Sequence, residues 1–135
     1  MSIGNGLLYV ADSETSAVRS VSLHEATTRT LVGCGLFVFG DKEGIGTQAR
    51  LQHALGVAWD KQRQGVWVAD TYNRKIKWIN ITDNQVVHRE TGCALDEPGG
   101  LSLYGNTLWI ANTNAHQVLR YEIDRNECVP VEIID

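Results

Sequence analysis

Between Val66 and Ile79 the chain alternates apolar and polar positions, breaks, and alternates again. The first run is Val66-Trp67-Val68-Ala69, the break is Asp70-Thr71-Tyr72-Asn73-Arg74, and the second run is Lys75-Ile76-Lys77-Trp78-Ile79. A period of two, carried by β-branched and aromatic residues, predicts two strands joined by a polar turn. The device recurs: Tyr9-Val10-Ala11-Asp12-Ser13 matches Trp67-Val68-Ala69-Asp70-Thr71, which matches Trp109-Ile110-Ala111-Asn112-Thr113. Asp70 and Asn112 lie 42 positions apart, Asp12 and Asp70 lie 58 apart, and the excess falls in a Gly-rich stretch over 33–49. No stretch carries a helical stripe.

A repeat of about 40 to 45 residues with four strands each is the sequence signature of a β-propeller blade. The middle unit predicts strands over 56–59, 66–69, 75–80 and 85–90. The third predicts them over 100–103, 108–111, 117–123 and 127–132, with Pro130 tolerated on a rim strand that can lack one ladder donor. The first unit starts partway through its first strand: Ser2-Ile3 aligns with Ser102-Leu103, Asn5-Gly6 makes the tight turn, and 18–23 and 27–32 follow. The expected organisation is one partial, all-β propeller over 1–135. Blade 1 covers about 1–33, a connecting loop 34–50, blade 2 about 51–92 and blade 3 about 93–135. In the connection, Gly40, Gly44 and Gly46 are expected to supply turns, with Phe37 and Phe39 pinning it onto the blades.

Each blade must cover both of its faces, and closed propellers have roughly four to eight blades. Three blades leave one apolar face bare at each end, a kind of patch rarely left in water. Two arrangements satisfy this: a second copy closing a six-bladed homodimer around a two-fold axis, or the remainder of a longer chain. The homodimer is the expected partner arrangement.

Composition narrows the function classes. A net charge of −4 with no basic tract disfavours nucleic acid as a ligand. No apolar run approaches the roughly 20 residues of a membrane span, and the first residues lack the pattern of a secretory signal. Three cysteines, Cys34, Cys93 and Cys128, are an odd number without a CxxC pair. They lead to an expectation of reduced thiols and a cytoplasmic setting, with neither a disulfide framework nor a zinc site.

Leu55-Gly56-Val57-Ala58-Trp59-Asp60 followed by Val68-Ala69-Asp70-Thr71-Tyr72-Asn73-Arg74-Lys75-Ile76 resembles the NHL repeat, named for Asn-His-Leu. The stretch Phe39 to Gly46, leading to Leu51-Gln52-His53, is similar to a subgroup that joins a thioredoxin-like domain to an NHL propeller. The departures are local. The proline before the first strand is Ala54 in unit two and Pro98 in unit three. The Asn-His pair is Thr15-Ser16, Asn73-Arg74 and Ala115-His116 in the three units. No thioredoxin-like motif is present to carry over. The resemblance implies a propeller; some relatives with this fold are lyases or hydrolases with a metal at the axis, and some bind RNA.

Candidate chemistry is sparse. Asp12, Asp70 and Asn112 recur at strand ends, where an Asx side chain accepts backbone N–H bonds from the following turn, so they are expected to organise turns. His24, His53, His88 and His116 fall in different blades or loops, which gives no convergent set of three metal ligands. No G-x-S-x-G elbow is present, and no nucleophile has a base beside it in sequence. The reading is a non-enzymatic scaffold without a cofactor, binding a protein or small ligand through loops on one face. The alternatives are a metal-dependent lyase or hydrolase and, third, an RNA binder. The loop residues expected to carry binding are Tyr72, Asn73, Arg74, Asn114, His116, His53 and Lys42, with Tyr72 and Arg74 foremost as typical interface anchors.

Overall fold

Alternation along the chain becomes, in the computed structural model, three twisted antiparallel sheets packed in sequence; all residues from Met1 to Asp135 are described. Blade 1 consists of β1 (Ser2–Gly4), β2 (Leu7–Asp12), β3 (Ala17–Ser22) and β4 (Thr28–Val32). The connection contributes a two-residue strand, β5 (Gly44–Ile45). Blade 2 contains β6 (Gly56–Asp60), β7 (Gly65–Asp70), β8 (Lys75–Asn80) and β9 (Gln85–Arg89). Blade 3 contains β10 (Pro98–Tyr104), β11 (Thr107–Asn112), β12 (Gln117–Glu122) and β13 (Glu127–Pro130). Within each sheet consecutive strands pair. Three 3-10 turns are the only helical segments, and no helix is long and apolar enough to cross a membrane.

The period of two sorts the side chains between two interfaces. Tyr9 and Val18 of blade 1 pack with Val57, Val66, Val68, Ile79 and Val86 of blade 2, together with Leu51 and Ala54. On the opposite face of blade 2, Ala58, Trp67, Ala69 and Ile76 pack with Leu108, Ile110, Leu119 and Tyr121 of blade 3. Strand β7 has neighbours on both sides and is buried from end to end. Gly56 and Gly99 let β6 and β10 come together, because a Cβ on Gly56 would overlap the carbonyl oxygen of Gly99.

The outer faces repeat the inner ones. Blade 3 turns Trp109, Ala111 and Val118 outward, the positions that Trp67, Ala69 and Ile76 occupy in blade 2, and these residues line an open apolar hollow. Blade 1 turns Ile3, Leu8, Val10 and Val21 outward, with Ile3 69% exposed.

Three expectations are corrected. Phe37 and Phe39 do not pin the connection: they are 86% and 56% exposed, and the segment is held instead by backbone bonds of Gly40, Lys42 and Arg50 and by β5. Strand β9 is not the rim of blade 2, because β5 pairs with it and makes a five-stranded sheet. Cys93 and Cys128 form a disulfide with a Cα separation of 5.6 Å, tying the loop before β10 to the rim strand β13. Only Cys34 is a free, exposed thiol, so the argument from reduced thiols to a cytoplasmic setting falls away.

Candidate loop-face site

Each second strand of a blade ends in an Asx residue, and the four residues after it return the chain to the third strand. The last of the four is left-handed without being glycine: Ser16, Arg74 and His116 have φ of 50°, 55° and 56°. In blades 2 and 3 a 3-10 turn, Thr71–Asn73 or Thr113–Ala115, fills the gap. The Asx side chains also reach beyond their own turns. Asp70 Oδ1 accepts the N–H of Gln52 at 2.7 Å, and Asn112 Oδ1 accepts the N–H of Asp96 at 2.8 Å. The loops then return the bond, Tyr72 N donating to Gln52 O and Asn114 N to Asp96 O, both at 3.1 Å. In blades 2 and 3 the Asx residue therefore also clamps the loop entering its blade. Asp12 pairs with Arg19 Nε at 2.7 Å and takes hydrogen bonds from Thr15 in its own turn. Hydrogen bonds and charge from Arg19 hold the Asp12 carboxyl below the usual range, outweighing partial burial.

Beneath the clamp of blade 2 lies a buried ionic knot. Lys77, fully buried, places Nζ 2.7 Å from Asp70 Oδ2, 2.8 Å from Asp41 Oδ1 and 3.1 Å from Arg50 O. Lys75 Nζ reaches the second Asp41 oxygen at 2.5 Å. Asn73 Nδ2 donates to Asp70 Oδ2 and to Gly40 O, so this residue fixes the connection rather than facing a ligand. Burial pushes the Asp41 carboxyl up, but hydrogen bonds and charge from Lys75 and Lys77 outweigh it and hold it below the usual range.

Above the clamp the predicted binding residues separate into two groups. At the junction of blades 1 and 2, the ring of His53 stacks on Tyr72 with centroids 4.5 Å apart and planes 24° apart. His53, itself left-handed at φ 51°, is anchored by its N–H to Ser16 Oγ at 3.1 Å, across the blade boundary. Together with Ser13, Glu14, Leu36, Phe39 and Gln52 they line a hollow of about 200 Å³. Side chains from four separate segments meet there. At the junction of blades 2 and 3, Arg74 Nε lies 3.4 Å from Asp96 Oδ1, and Asn114 Nδ2 donates to Asp96 Oδ2 at 3.0 Å. His116 is exposed at its left-handed position, and Lys42 is exposed on the connection, its backbone paired with Arg50. His24 lies in the exposed turn after β3 and His88 in β9; no three His, Cys, Asp or Glu side chains gather as metal ligands do.

Leu36 and Phe39 are the lining residues that reading the sequence missed as surface groups. Their signal was present: Leu36-Phe37-Val38-Phe39 is an apolar run in a loop, and a run in a loop can be an exposed ridge as easily as an anchor.

A scan against known family models finds no match. The chain is 43% identical to human NHL repeat-containing protein 2 over 131 residues, which is 82% of this chain and 18% of that protein. The bovine protein of the same name is 44% identical with the same coverage. A chloroplastic protein of Arabidopsis thaliana, SUPPRESSOR OF QUENCHING 1, is 35% identical over 145 residues, covering 93% of this chain and 14% of its own. The chain thus spans less than a fifth of the length of these curated relatives. Among solved structures, virginiamycin B lyase from Staphylococcus aureus superposes with a TM-score of 0.68 at 12% identity, over 98% of this chain and 40% of the other. A nidogen/laminin complex gives a TM-score of 0.68 at 13% identity, over 94% and 42%. At such identities the fold alone is shared.

Proposed function

We propose that this chain, an NHL-repeat β-propeller by its likeness to NHL repeat-containing protein 2, is a non-enzymatic scaffold that binds a partner at the junction of blades 1 and 2. The observation that carries this is the convergence of four segments on the His53–Tyr72 stack, beside an exposed apolar ridge from Leu36 to Phe39. Rigid blades with recognition on their loops are a common division of labour. The test is a peptide selected from a random display library against the purified chain. Selected binders are expected to lose affinity with Tyr72→Ala and Phe39→Ser and to be indifferent to Arg74→Ala. Binders indifferent to the first two changes, or a stoichiometric tightly held metal in the purified chain, would overturn the proposal.

Closure of the ring by a second copy is a separate proposal. Its support is chemical repetition: the outward Trp109, Ala111 and Val118 match the Trp67, Ala69 and Ile76 that pack on blade 3, and the outward Leu8, Val10 and Val21 match the Val66, Val68 and Ile79 that pack on blade 1. Two copies would cover all four bare faces at once. Light scattering is expected to give twice the 14.9 kDa of the chain. A folded species of monomeric mass at micromolar concentration would refute the closure.

A further inference from the structure

We infer that the hollow at the junction of blades 1 and 2 takes an arginine side chain presented by a protein partner with apolar residues beside it, an inference that rests on the binding reading above. Size comes first. At about 200 Å³ the hollow is smaller than the roughly 300–1,000 Å³ of small-molecule sites, so a single inserted side chain fits better than a free ligand.

Charge comes second. Glu14 is the one acidic or basic side chain lining the hollow apart from the titratable His53. Its carboxylate is 81% exposed, and its nearest cationic candidate, His53 Nδ1, lies 3.9 Å away, beyond hydrogen-bond reach. Four aspartates of the neighbouring loops are engaged: Asp12 by Arg19, Asp70 by Lys77, Asp41 by Lys75 and Lys77, and Asp96 by Arg74. At the hollow itself Glu14 is the carboxylate free to recruit a cation, and it opposes a carboxylate or phosphate ligand.

The walls come third. Tyr72, held by its stack with His53, and Phe39 offer aromatic surface, on which a guanidinium is attracted by the ring quadrupole. Arginine is favoured over lysine because its planar fork can pair two N–H groups with one carboxylate while lying against a ring. Beyond the hollow, Leu36, Phe37, Val38 and Phe39 are 53%, 86%, 36% and 56% exposed, a ridge that apolar neighbours of the inserted side chain would cover.

The test is fluorescence anisotropy with the full chain and four fluorescein-labelled peptides identical except for one central residue between leucines: arginine, lysine, glutamine or glutamate. Arginine is expected to bind about tenfold tighter than glutamine, with lysine between them and glutamate weakest. Added salt is expected to reduce the arginine advantage by screening the Glu14 contribution. Glu14→Gln should shrink the arginine advantage to the part the rings supply, and Glu14→Arg should favour the glutamate peptide; Glu14 is exposed, and unchanged melting of both variants verifies the fold. If glutamine binds as well as arginine and Tyr72→Ala still abolishes binding, the arginine inference fails and the binding reading stands. If no peptide binds and the library yields no binder sensitive to Tyr72→Ala, both fail. If Phe37→Ser converts a species of doubled mass to monomer, a second copy covers the ridge and the inference is overturned.

Discussion

In blade 2 the side chain that ends the second strand is an aspartate gripped by a buried lysine; in blade 3 it is an asparagine gripped by a glutamine. Both present one oxygen to the N–H of the loop entering the blade, at 2.7 and 2.8 Å. Everything behind that oxygen differs. Asp70 sits on Lys77, which also reaches Asp41 in the connection. Asn112 donates instead to Ala94 O at 3.1 Å and to Gln117 Oε1 at 3.2 Å, and Leu119 fills the position of Lys77. Blade 3 has no long connection to bind down, and its entering loop is fastened to β13 by the Cys93–Cys128 disulfide. The repeat requires the acceptor oxygen, which sets the loop face. The fastening behind it is free to be ionic, neutral or covalent.

The largest effect expected from breaking this comparison is at Lys77. Lys77→Ala leaves Asp70 buried without its cation and should cost about 3–5 kcal/mol in urea unfolding. Asp70→Asn combined with Lys77→Leu gives blade 2 the chemistry of blade 3 and should recover most of that loss, because the clamp oxygen is kept and no buried charge is orphaned. A double variant as unstable as the single one would show that the two blades are not interchangeable in this way.

A smaller effect is expected from the covalent fastening. Cys93 and Cys128 are 35 positions apart, and opening their bond should lower stability by about 2–4 kcal/mol. Cys128→Ser and reduction of the parent chain should give the same shift in the unfolding midpoint, with Cys34→Ser giving none. An unchanged midpoint on reduction would remove the disulfide from the account.

Smallest is the acid response. Asp41 and Asp12 both have folded-state pKa values held below their ordinary range. Carboxylates depressed in this way contribute stability that is complete above the unfolded value of about 3.9 and is lost as pH falls through the folded value. Stability should therefore decline below about pH 4, and Asp41→Asn should flatten that decline. An identical slope in the variant would mean that the knot does not titrate with folding.

Strand positions and the repeat were legible because a period of two is a local signal, and the hairpin over 66–79 appears with its edges nearly in place. What eluded the sequence depends on distant partners. Lys77 in Lys75-Ile76-Lys77-Trp78 looks solvated; its burial requires Asp41, 36 positions away. Three cysteines do not pair themselves; the bond follows from where β13 lies beside β12, with Tyr121 opposite Cys128. Gly44-Ile45 is too short to register as a strand until β9 pairs with it. The site was half legible. Tyr72 and His53 stood out as polar-loop residues, whereas the ridge from Leu36 to Phe39 looked like an anchor because nothing in the sequence says whether an apolar run is covered.

The central claim is that the blades are fixed scaffolding and recognition lies in the hollow between blades 1 and 2. Titrating the isotopically labelled chain with a selected peptide, and following backbone amide shifts by NMR, tests it most directly. The account predicts shifts gathered at Ser13, Glu14, Ser16, Leu36, Phe37, Phe39, Gln52, His53 and Tyr72. Shifts gathered instead at Leu8, Val10 and Val21, or at Trp109, Ala111 and Val118, would contradict it by placing recognition on the bare blade faces.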